Sequence, residues 1–216
     1  QTIYSYWSFN DSNNDVTAVS TGSLWDTDNP TISFSATGFS YKNDANFRAF
    51  EAFDGNEYTS TNGGPAAQWQ ANSGDIVSSP ELTLLMDMTE LEDFTFAIDL
   101  RAAALPGGNP PSATTAIEYT TNGGSSWTSS GLSNLSGFSS TVTRYDLDFS
   151  SIAAIENIAD AGIRLTFEDV DGTDGLANLR MDNVQISAAA IPEPSTFALL
   201  AGALGLGLVM LRRRRA

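Results

Sequence analysis

The chain has 216 residues, 41% of them hydrophobic and 17% charged, with no cysteine, no histidine and a formal net charge of −16. This supplies one domain with a real core, while the missing residue types exclude disulfides, thiolate nucleophiles, the usual zinc sites and any Ser-His-Asp triad. Arg212, Arg213, Arg214 and Arg215 are four of the ten basic residues, leaving 25 acidic residues before Glu193 against six basic ones, a balance of −19 that repels phosphate backbones and excludes nucleic acid as a partner. An acidic chain that starts at Gln1 rather than Met fits an exported protein trimmed of a signal peptide.

From the N-terminus, "TIYSYWSF" reads as a strand and "FNDSNND" as a polar loop. Between residues 20 and 70 the periodicity is poor, and Trp25, Tyr41, Tyr58 and Trp69 lie there as candidate aromatic platforms for sugar rings. "DFTFAIDLR" alternates cleanly, with Phe94, Phe96, Ile98 and Leu100 on one face and Thr95, Ala97 and Asp99 on the other. Just before it, "TELEDF" carries Glu90, Glu92 and Asp93. Adjacent acids at a strand's start do not share a face as the paired carboxylates of glycoside hydrolysis must, so the chain is not expected to be an enzyme.

"AIEYT" followed by "TNGGSSW" predicts a hairpin, with Asn122, Gly123 and Gly124 able to take positive φ and Trp127 returning into the core. The stretch resembles an Asp-box at Thr120, Asn122, Gly124, Ser126 and Trp127, with Asn122 where that box has Asp; the resemblance implies a turn that serves folding. "VTRYDLDF" points Tyr145, Leu147 and Phe149 inward, and "GIRLTF" does the same with Ile163, Leu165 and Phe167. "SSIAAIENIADA" between them reads as a helical turn or two inside a connection.

"LRMDNVQI" carries a conflict. If Val184 and Ile186 face the core, strict alternation puts Asp182 and Arg180 there too and turns Leu179 and Met181 away, so either a bulge falls near Asp182 and Asn183 or both faces are covered. An inward Asp182 needs a backbone amide, an arginine or a cation. Calcium takes six to eight hard oxygens. Its candidate donors are Asp11 and Asp15 of the first loop, Asp169, Asp171 and Asp174 of "EDVDGTDG", and Asp182; the alternative for the loop residues is solvated turn chemistry.

Many short strands with Gly-, Asn- and Ser-rich loops and no internal repeat predict an all-β, antiparallel β-sandwich, most simply a jelly roll. The run from "ELEDFTFAIDLRA" through "LRMDNVQIS", roughly residues 81 to 187, resembles bacterial extracellular jelly-roll domains. That resemblance implies a galactose-binding-like or lectin-like sandwich and a place outside the cell.

Seventeen uncharged residues, Ser195 to Leu211, would reach roughly 25 Å as a helix, the short end of a membrane span. Arg212, Arg213, Arg214 and Arg215 form the expected membrane stop signal, holding the end that follows in the cytoplasm. Pro192 and Pro194 keep the approach extended. Pro192, Glu193 and Pro194, then the span, then the arginines resemble the PEP-CTERM sorting signal of Gram-negative bacteria. The resemblance implies exosortase as processing partner and a tie to exopolysaccharide and the cell surface. The expected organisation is an extracytoplasmic sandwich over residues 1–187, a linker over 188–194, a transmembrane helix over 195–211 and a basic cytoplasmic tail over 212–216. The expected protein is inner-membrane anchored, then at the cell surface or released after processing. Its expected function is non-catalytic display, with calcium-dependent binding of exopolysaccharide as the alternative.

Overall fold

A computed structural model of the chain describes residues 2–7, 18–19, 31–35, 38–43 and 65–191. The strands among them are β1 (Thr2–Trp7), β2 (Ala18–Val19), β3 (Thr31–Phe34), β4 (Phe39–Asn43), β5 (Pro65–Ala71), β6 (Ile76–Val77), β7 (Glu81–Met86), β8 (Leu91–Ala104), β9 (Thr114–Thr120), β10 (Thr128–Ser129), β11 (Thr143–Asp148), β12 (Ala161–Phe167), β13 (Val170–Asp171) and β14 (Ala177–Ala190). "SSIAAIENIADA" contributes a single 3₁₀ turn, Ala153–Ile155. No helix among the described residues is long and apolar enough to cross a membrane; the expected span over 195–211 lies outside them.

The strand pairs among the described residues are all antiparallel, and they make two main sheets. The first, sheet A, runs β11-β8-β14, and β14 then pairs along its far edge with β5 near its start and β1 near its end. The second, sheet B, runs β10-β9-β12-β7-β3. From β7 to β14 the long strands alternate between the sheets, which builds an antiparallel β-sandwich as the hydrophobic alternation predicts. Phe94, Phe96 and Ile98 from sheet A meet Leu82, Leu84, Ile163, Leu165 and Phe167 from sheet B, all of them buried.

The parity conflict in β14 is resolved by a bulge. Asp182 pairs with Asp99 and Gln185 with Ala97, so β14 advances three residues while β8 advances two. Asn183 absorbs the extra residue at φ 50°, a left-handed conformation that Asn tolerates better than most side chains. Leu179 and Met181 before the bulge and Val184 and Ile186 after it can then all face the core, while Arg180, Asp182, Gln185 and Ser187 share the outer face. Asp93, at φ 54°, adds the matching irregularity to β8 where Thr95 and Glu92 pair with Ser187 and Ala189.

Trp69 corrects the sequence reading. It has no exposed surface and cannot be a sugar platform: its ring meets Phe34, Phe39 and Phe167 at 5.7–6.0 Å, and its indole N–H donates to the Ser35 carbonyl at 3.1 Å. β5 pairs it with Leu179 on the core side of sheet A, which buries the ring where the sheets close.

Candidate functional site

Because Ile163, Leu165 and Phe167 point inward, Arg164 and Thr166 point outward from sheet B. The register then sets Ser129, Glu118, Arg164, Thr83 and Ser33 in one row across all five strands. Arg164 donates to Glu118 Oε2 from Nε at 2.9 Å and from Nη2 at 2.6 Å, and its Nη1 lies 3.6 Å from Glu81 Oε1. Its guanidinium also lies 4.7 Å from the centre of the Trp127 ring. With the Arg164 side chain 24% exposed and Glu118 22%, the pair is held in place yet reachable.

The "TTNGGSSW" turn delivers Trp127 to this face. Asn122 Oδ1 accepts from the Ser126 N–H at 3.0 Å and from the Thr120 hydroxyl at 2.8 Å, while its amide donates to Ser126 Oγ at 2.8 Å. Gly123 and Gly124 take φ of 65° and 85°, the positive φ that the hairpin turn asks of them. A Cβ on Gly124 would lie 3.5 Å from Trp127 and 3.7 Å from Leu85, which shows the ring over Gly124 beside the Leu85 side chain. Trp127 is thus half-buried on the outside of sheet B, a correction to the expectation that it joins the core.

Beyond Thr166 the same alternation points Glu168 outward, into a cleft of about 620 Å³ at the end of the sheet. Glu168 Oε2 accepts from the Ser112 N–H at 2.8 Å, the Ser112 hydroxyl at 2.9 Å and the Ala113 N–H at 3.1 Å. Asp169 Oδ1 accepts from the Ser79 N–H at 2.8 Å, and Asp171 Oδ1 from the Thr173 N–H at 2.8 Å and hydroxyl at 2.6 Å. Pro110, Pro111 and the half-exposed Ile76 supply apolar wall. From Gly162 to Glu168 the chain advances six residues, roughly 20 Å at strand spacing, so Trp127, the Arg164–Glu118 pair and the cleft form one outward track.

The cleft's chemistry is that of acceptors. The Ser112 N–H and hydroxyl hold the Glu168 carboxyl below its ordinary range, and the Thr173 hydroxyl and N–H do the same for Asp171. Neither keeps a proton near neutrality.

A different polar group lies on the outer face of sheet A. Asp99 and Asp182 are direct cross-strand partners, 0% and 2% exposed. Asn183 donates its backbone N–H to Asp182 Oδ1 at 2.8 Å and its side-chain amide to Asp99 Oδ2 at 2.7 Å. Arg144 on β11 comes within 3.9 Å of Asp99 Oδ1, which accepts no hydrogen bond among the described residues, and donates to Gln185 at 3.1 Å. Burial raises the Asp99 carboxyl, and burial, helped by the Asp99 charge, pushes Asp182 up to about 8.

The structure therefore gathers some sequence candidates and separates others. Asp169 and Asp171 line the cleft, Asp174 is exposed in the following turn, and Asp182 sits in sheet A with a backbone amide as partner. Among the described residues no three carboxylates converge as a metal set. Tyr41 falls in β4, with its side chain outside the described set. Asp11, Asp15, Trp25 and Tyr58 also lie outside the described residues, as do the sorting motif Pro192, Glu193 and Pro194 and the stop signal Arg212, Arg213, Arg214 and Arg215. The sequence reading missed Arg164 and Glu118, and it placed Asp99 on the outward side of its strand without its partner Asp182. Arg164 was findable as the one charge in an alternating apolar strand, whereas its pairing with Glu118 depends on register.

No protein-family model matches the chain, and no curated protein does. Among solved structures it is similar to the CBM22-1 xylan-binding domain of Paenibacillus barcinonensis Xyn10C, at 10% identity over 88% of this chain and 96% of that one, TM-score 0.45. It is also similar to TmCBM61, solved with β-1,4-galactotriose, at 10% identity over 74% and 88%, TM-score 0.40. A third likeness is to the enzymatically active domain of bacteriophage CBA120 tailspike protein 4, at 12% identity, TM-score 0.41, covering 75% of this chain but 20% of the tailspike. The sandwich assignment rests on the strand pairing itself.

Proposed function

We propose that this domain is a non-catalytic glycan-binding module of the jelly-roll type, displayed outside the cytoplasm. The observation that carries the reading is the track on sheet B: an indole beside a pinned arginine–glutamate pair, continuing into an open cleft of fixed acceptors. A sugar ring needs an apolar face to lie on and preorganised partners for its hydroxyls, and the track offers both. Hydrolysis needs a carboxylic acid that still holds its proton. Glu168 and Asp171 are held ionised, which supports binding without cleavage.

Delivery belongs to the tail in this reading. Pro192, Glu193 and Pro194, the apolar run and the arginines Arg212, Arg213, Arg214 and Arg215 make the chain a substrate of exosortase, anchored in the inner membrane with its domain outside until processing. The exopolysaccharide of the cell's own surface is the ligand this location offers.

A glycan-array screen of the purified full chain, with calcium and with chelator, tests the binding. Retention of at least one glycan class is expected; no retention under either condition overturns the reading. Equal binding in both removes any calcium dependence of ligand capture.

A further inference from the structure

We infer that the anchored domain stands on end over the lipid, with the pole built by residues 87–93 and 156–160 as its membrane-facing surface and the cleft as its far end; this rests on the anchor in the reading above. The course of β14 carries the inference. Its ladder to β8 continues through Ala189–Glu92 and Ala190–Leu91, and the Ile191 N–H then donates to the Glu90 carbonyl at 2.8 Å. On the other side of β14, Thr2 of β1 pairs with Ala188 in the same stretch. The chain is therefore fixed to the sandwich up to the residue before Pro192, and Pro192, Glu193 and Pro194 alone separate it from the uncharged run that starts at Ser195. Fully extended, that interval spans at most about 14 Å.

The opposite end of β14 fixes where the cleft goes. Ala177 pairs with Ala71 and Ala104, the Leu105 N–H donates to the Leu176 carbonyl at 2.8 Å, and Asn109 bridges to Asp171 in the cleft wall. The 14 residues of this strand separate the two poles by roughly 45 Å at strand spacing, far more than the tether can span. Charge opposes a domain lying flat: 25 acidic residues before Glu193 stand against six basic ones, and anionic headgroups repel such a flank. At the near pole the Gly123 N–H donates to the Asp160 carbonyl at 2.9 Å, which puts the Trp127 turn there. The track thus runs from the near pole to the far one. A polymer bound on it lies along the membrane normal, with its cleft end beyond the reach of sugars on lipid headgroups.

The chain has no cysteine, so Thr89→Cys at the near pole and Ser73→Cys at the far pole, both at exposed positions, each create a single labelling site. The full-length variants, labelled with a fluorophore, are reconstituted in phosphatidylethanolamine–phosphatidylglycerol vesicles that carry a headgroup quencher in both leaflets. Quenching at position 89 should exceed that at position 73 at least threefold, and a flexible Gly-Ser insertion of about twenty residues between Ile191 and Pro192 should erase the contrast. Equal quenching at the two positions, stronger quenching at 73, or a contrast that survives the insertion overturns the upright pose and leaves the anchor standing. A chain that fails to float with the vesicles overturns the anchor reading itself, and the pose with it.

Discussion

Replacing Asp182 by Asn should make the domain more stable above about pH 6 and flatten its dependence on pH. Asp182 is 2% exposed, directly opposite Asp99, and its carboxyl is raised from 3.8 to about 8 in the folded state. Across the window between these values the native chain keeps a proton that the unfolded chain has released, so stability falls as pH rises. The contribution is complete below the unfolded pKa and lost as pH passes the folded one. Four units at about 1.4 kcal/mol each set a ceiling of roughly 6 kcal/mol for the cost of ionising this site. Relaxation and water entry reduce it, so a loss of about 2 kcal/mol between pH 4.5 and 8 is expected for the natural chain. Asn keeps an oxygen for the Asn183 N–H and carries no charge to bury. Urea titrations of both chains every half unit from pH 4.5 to 8.5 measure the difference. A natural chain whose stability is constant or rises through that window refutes the reasoning, as does a variant equally destabilised at every pH.

Trp69→Ala should cost about 3–5 kcal/mol, because the ring is wholly buried among Phe34, Phe39 and Phe167, and should abolish the cooperative near-UV circular dichroism melt or shift it down by more than 10 °C. Gly162→Ala should cost about 1–3 kcal/mol, since a Cβ there would lie 2.6 Å from the Leu84 carbonyl oxygen and 2.7 Å from Leu85, read as a lower denaturation midpoint. Asn122→Asp should change stability by less than about 0.5 kcal/mol, because the Ser126 N–H keeps its acceptor, whereas Asn122→Ala should lose about 1–2 kcal/mol by leaving that donor unpaired; denaturant titration orders the two.

The strands from Phe94 to Ile186 were legible because the face toward the core is apolar, which imposes a two-residue alternation on the side chains even in β14, whose outer face carries the buried polar residues Asp182, Gln185 and Ser187. The bulge in β14 was legible for the same reason: the alternation breaks between Met181 and Val184, and one inserted residue repairs it. Pairings were not legible. Asp99 opposes Asp182 and Glu118 opposes Arg164 through register, which is fixed by the whole sheet and not by either strand alone. Trp69 misled because the small residues around it, "PAAQWQA", give no hydrophobic period to show which side is buried. Trp127 misled in the opposite sense, since its place on the outer face depends on the bare backbone of Gly124 beneath it. Asp169 and Asp171 were singled out for their oxygens, and the structure puts those oxygens in a cleft where backbone and hydroxyl donors hold them.

Hydrogen–deuterium exchange of the full chain, with and without the tightest glycan from the array, tests most directly that sheet B bears the binding surface. Slower exchange is expected over residues 114–130 and 162–171, and Trp127→Ala should remove that protection along with at least tenfold in affinity. Protection confined to sheet A, or binding undiminished by Trp127→Ala, would contradict the account.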